Sequence, residues 1–110
     1  MNNKKNDYYY ISKVINDVNS IIKYTKGITY DDFVSDEMLI DATMFRLVQM
    51  AENINHLSKE YRDNHKKIPW EEITGFRNKI VHEYGKTDYT IVYEIISEDI
   101  YKLKDEIESK

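Results

Sequence analysis

Apolar residues recur along most of this chain at intervals of three and four, the spacing of one face of an α-helix. Ile11, Val14, Ile15, Val18, Ile21 and Ile22 set out a first helix, with Asp7 as its N-cap and Gly27 as its stop. Thr29, followed three residues later by Asp32, resembles a capping box for a short helical turn through Phe33. Ser35 can cap the longest helix, which the pattern extends from Asp36 to about Arg62. Ile40, Met44, Leu47, Ala51, Ile54 and Tyr61 form its stripe, with Met50 and Leu57 flanking. A polar, basic connector, Asp63 to Lys67, follows. Pro69 suits the first turn of a third helix and Gly85 the left-handed position past its end. Thr87 or Asp88 then caps a last helix with the stripe Val92, Ile96, Ile100, Leu103 and Ile107. The expectation is an all-α fold: an antiparallel bundle of four long helices plus a short helical turn, in a single domain over residues 1–110.

Composition agrees with this pattern. With 41% hydrophobic and 33% charged residues, three Gly and one Pro in 110 positions, the chain has few turn formers. Zero Cys excludes disulfides, thiolate metal sites and a Cys nucleophile, and is compatible with a reducing cytoplasm. No apolar run approaches the roughly 20 residues that span a bilayer, and no signal-peptide core follows Lys4-Lys5. A soluble cytoplasmic protein with no membrane partner is expected.

The net charge of -4 argues against nonspecific nucleic-acid binding, which depends on neutralising phosphates. Its distribution is uneven. Lys59, Arg62, Lys66 and Lys67 outnumber Glu60 and Asp63, and Arg77, Lys79 and Lys86 follow, whereas residues 94–108 are acidic on balance. A local basic surface and an ordinary mixed-charge surface both fit.

The candidate chemistry lies in Arg77-Asn78-Lys79-Ile80-Val81-His82-Glu83-Tyr84. Arg stays protonated and can hold a phosphate through a bidentate fork, and His exchanges a proton near neutral pH. In a helix turning ~100° per residue, Trp70, Ile73, Ile80, Val81 and Tyr84 cluster around the direction of Arg77. An arginine on an apolar stripe needs a partner, so a half-buried pair with a carboxylate such as Glu52 is one reading and phosphate binding the other. His82 would lie ~140° away; it is either a helix-end partner for the dipole or a proton-transfer group. Distortion of the last helical turn, or a twofold dimer cleft lined by this helix from both chains, would bring the two together; the dimer is the preferred route. His56 and His65 have no ligand partner at helical spacing, and neither a metal motif nor a glycine-rich phosphate loop is present, so no metal or cofactor is expected. The ten tyrosines suit base stacking, but Tyr8, Tyr9 and Tyr10 are expected at the core or a dimer seam.

From Thr29 to Glu108 the chain resembles the HEPN-domain toxins of the HepT family. The resemblance rests on Tyr30-Asp31-Asp32-Phe33, on Arg46-Leu47 to Ala51-Glu52, on Ile68-Pro69-Trp70, and above all on Arg77-Asn78 with His82 and Tyr84. It implies a HEPN-like fold and a metal-independent endoribonuclease that dimerises through its helices and acts on RNA as the toxin of a toxin-antitoxin pair. The partner it implies is a minimal nucleotidyltransferase antitoxin, which in some systems transfers AMP onto the motif tyrosine. On these positions Arg77 and His82 would be catalytic, Asn78 and Glu52 would support the site, and Tyr84 would be the AMPylation target. Glu83 departs from the small residue common between His and Tyr in that family, which bears on activity more than on fold. The alternative is a noncatalytic helical dimer that binds a nucleotide or docks a nucleotidyltransferase.

Overall fold

A computed structural model describes residues 3–75, 81–82 and 86–109. The architecture is all-α, as the apolar periodicity predicts. α1 (Asn3–Thr25) and α3 (Glu37–Asn55) pack along each other, joined by the short α2 (Tyr30–Val34). α4 (Lys59–Asp63) and α5 (Trp70–Thr74) are single turns; α6 (Tyr89–Glu94) continues through a π-helical turn (Ile95–Asp99) into α7 (Ile100–Glu108). Val14, Val18 and Ile21 of α1, Leu47, Met50 and Ile54 of α3, and Val92, Ile100 and Leu103 of the last segment meet in one core with Phe33 and Ile73. Ile95 and Ile96, three and four residues after Val92, are both buried, and the π turn shifts the helical phase by a residue before Ile100. Among the described residues no helix is long and apolar enough to cross a membrane.

Several boundaries follow the sequence. Gly27 stands just past α1 with φ of 75°, a conformation that suits residues without a Cβ. Thr29 accepts from the Asp32 amide at 3.1 Å, and Asp88 caps α6. Others differ. Asp36, not Ser35, caps α3 by accepting from the Leu39 amide, while the Ser35 hydroxyl donates back to Asp31. Asp7 is inside α1 rather than at its start, because its carboxylate is used elsewhere: it accepts from the Ser58 amide at 2.8 Å and the Ser58 hydroxyl at 2.6 Å. Ser58 in turn accepts from the Tyr61 amide and caps α4. The predicted helix from Asp36 to Arg62 is therefore broken at residues 56–58.

The third predicted helix is also shorter. α5 ends at Gly75, whose amide donates to the Glu71 carbonyl; a Cβ there would stand 2.6 Å from that oxygen, so this glycine, rather than Gly85, is the stop. Val81–His82 (β1) is extended and pairs antiparallel with Lys86–Thr87 (β2), Val81 opposite Thr87 and His82 opposite Lys86. The β-branched Val81 favours that backbone over a helix.

Candidate functional site

The described element that precedes the motif in the sequence is α5. Trp70 buries part of its ring and its Nε1–H donates to the carbonyls of His65 at 3.1 Å and Arg62 at 3.2 Å, fixing the basic connector to the helix. Ile68 and Ile73 are buried on either side. Within α4, Lys59 donates to Asp63 at 2.7 Å, and this bond, with Lys66 and Arg62 nearby, holds the Asp63 carboxyl below its ordinary value. Asp63 is thus drawn into the basic cluster, and the patch is less positive than the lysine count implies.

Arg77, Asn78 and Tyr84 lie outside the described residues, and of His82 the backbone is described. His82 stands in an extended strand, not on a helix. The ~140° separation on an ideal helix therefore does not govern its relation to Arg77. Glu52 is exposed on α3. His56 and His65 have other employment: His56 stacks on Tyr10 with ring centres 4.6 Å apart, and His65 on Tyr61 at 4.1 Å.

A second polar assembly was not singled out by residue pattern. Asp17, 4% exposed, lies between α1 and α3, accepting from Arg46 at 3.0 Å and from Asn53 Nδ2 at 3.1 Å. Tyr24 and Asp17 both favour the Arg46 cation, raising its pKa above the ordinary value. The ion pair forms the floor of a cleft of 610 Å³ whose walls come from α1 and α3. A signal for it was present: Asp17 falls between Val14, Val18 and Ile21 on the apolar stripe of α1, where a carboxylate requires partners.

Comparison with known proteins places this chain. Residues 14–109 match the family model described as "Ribonuclease HepT-like". A protein named "Putative RNase TTE0752", from Caldanaerobacter subterraneus subsp. tengcongensis, is 36% identical over 98 residues, covering 89% of this chain and 88% of the relative. "Probable ribonuclease HepT" of Thermococcus cleftensis is 28% identical over 109 residues, covering 96% of each. No solved structure matches at comparable strength. The match runs from the middle of α1 to the end of α7 and includes the Asp17, Arg46 and Asn53 assembly as well as the motif segment, so the chain belongs to the ribonuclease HepT-like family.

Proposed function

We propose that this protein is a metal-independent endoribonuclease, the toxin of a toxin-antitoxin pair, with Arg77 and His82 as its catalytic residues. The observation that carries the reading is membership of a ribonuclease family over residues 14–109, a span that contains Arg77, Asn78, His82 and Tyr84 in one short segment. The extended backbone at His82 supports it too, because it removes the helical constraint that held His82 on a different face from Arg77.

The reaction uses the substrate's own nucleophile. The 2′-hydroxyl of RNA attacks the adjacent phosphorus, the P–O5′ bond breaks, and the products are a 2′,3′-cyclic phosphate and a 5′-hydroxyl. His82 takes the 2′-hydroxyl proton or delivers one to the leaving oxygen, a role worth roughly 10²- to 10⁴-fold in rate. In a homodimer with the two motifs facing one cleft, the partner's copy of this imidazole supplies the complementary proton transfer. Arg77 stabilises the charge that grows on the phosphoryl oxygens, a contribution of similar size. Asn78 and Glu52 orient these groups. The binding partner is a minimal nucleotidyltransferase antitoxin, and Tyr84 is the hydroxyl it modifies with AMP.

The test is a DNA strand carrying a single ribonucleotide, offered to the purified protein with and without EDTA. Cleavage only 3′ of the ribonucleotide, leaving a cyclic phosphate and insensitive to EDTA, is the expected result. Cutting of all-DNA strands, or loss of cleavage in EDTA, contradicts the mechanism. For Tyr84, intact mass after coexpression with the nucleotidyltransferase and ATP should rise by whole AMP units, and Tyr84→Phe should abolish the increase.

A further inference from the structure

The cleft between α1 and α3 has an unusual lining for a helix-helix groove. Its floor is the Asp17 to Arg46 pair, and Lys13, Asn16, Phe45, Gln49 and Asn53 stand around it. Phe45 is 58% exposed, and Asn16 and Gln49 are also exposed. Asn53 donates its Nδ2 to Asp17, which leaves its Oδ1 to accept. Lys13 sits over the Tyr9 ring, 5.3 Å from its centre, at the α1 rim. The two cations outnumber the one carboxylate in a chain whose net charge is -4. Its 610 Å³ lies within the ~300–1,000 Å³ range of small-ligand sites.

We propose that this cleft binds a short stretch of single-stranded RNA, with an unpaired base stacked on Phe45 and its edge read by the carboxamides of Asn16 and Gln49. An exposed aromatic offers a sequence-tolerant stacking surface, carboxamides supply both donor and acceptor to a base edge, and Arg46 and Lys13 face the backbone phosphates. A partner helix would want a contiguous apolar face, whereas this lining is dominated by carboxamides and charges. Phe45, Gln49 and Glu52 recur at four and three residues on one face of α3, so a strand seated on Phe45 runs toward the carboxylate assigned to the catalytic site. The identity of the ligand rests on the ribonuclease reading; the existence of the site rests on the cleft.

The experiment titrates labelled single-stranded oligoadenylate, oligouridylate and oligocytidylate, and an RNA duplex, with the full-length His82→Ala protein, so that binding is read without turnover. Phe45→Ala added to it should weaken single-strand binding by about 5- to 150-fold, the worth of one base-aromatic stack. Phe45→Tyr should retain affinity, Gln49→Ala should narrow the differences among homopolymers, and the duplex should bind more weakly. Circular dichroism establishes that each variant is folded. Unchanged single-strand affinity in folded Phe45→Ala overturns the proposal, and a fall in sedimentation mass alongside that unchanged affinity assigns the cleft to protein contact instead. If the unmutated protein cleaves RNA while folded Phe45→Ala binds as before, the cleft assignment fails and the ribonuclease stands. If it cleaves none while binding depends on Phe45, the cleft assignment stands and the ribonuclease reading fails.

Discussion

Asp17 is a charged group set into the apolar stripe of α1, and its two partners on α3 make that placement tolerable. Asp17→Ala strands Asn53 and leaves the Arg46 cation to hydrate through its part-exposed end, so it should cost about 2–3 kcal/mol, the range for hydrogen bonds to a charged partner. A urea midpoint that does not move would contradict this. The sequence shows that position 17 needs a partner, because it falls between Val14 and Val18. It does not show that Arg46 and Asn53 are the partners, which depends on how α1 and α3 align. Asp99 carries an opposite lesson. Burial first, and Glu94 second, push its carboxyl above the ordinary aspartate value, with Lys102 opposing. The folded state then holds the proton to a higher pH than the unfolded chain does, so this group's contribution falls as pH rises from the ordinary aspartate range through the raised value. Asp99→Asn should therefore be more stable than the parent at neutral pH, with the difference closing below the ordinary aspartate range. A pH-independent difference would show that the carboxylate charge is not the cause.

Among the elements, periodicity located the helices well and their ends unevenly. Thr29, Gly27 and Asp88 act locally, and local signals sufficed for them. The break after α3 was hidden because Leu57 and Tyr61 stay in phase with the α3 stripe, while the cause of the break is Asp7, 51 residues away in sequence. Ser58→Ala removes the α4 cap and the hydroxyl that Asp7 accepts, and should cost about 1–2 kcal/mol in thermal or urea unfolding. No loss would mean that the α4 turn is held by packing alone. The short α5 was missed for a different reason. Pro69 and Gly85 looked like a matched start and stop, but Gly75 ends the helix first, where a side chain would collide with the Glu71 carbonyl. This boundary changes the chemistry considered, since it moves His82 from a helix to a strand.

At the scale of the whole molecule, the bundle supplies two polar features on one scaffold: the motif segment that follows α5, and the cleft between α1 and α3. The all-α class was legible because the apolar stripes of the first, longest and last predicted helices share a helical period, and the family was legible from the order of Tyr30-Asp31-Asp32-Phe33, Pro69-Trp70 and Arg77-Asn78 with His82. The cleft was not, because carboxamides exposed on two separate helices leave no joint pattern in one dimension. The proposed ribonuclease activity requires Arg77 and His82 to act together on RNA. Its most direct test is induction of the protein alone in growing cells beside His82→Ala, with RNA integrity and folded protein measured in the same cultures. Growth arrest and fragmented RNA are expected with the parent, and growth and intact RNA with a folded, equally abundant His82→Ala. Intact RNA in cells that have accumulated the folded parent, or equal fragmentation with both proteins, would contradict the proposed activity.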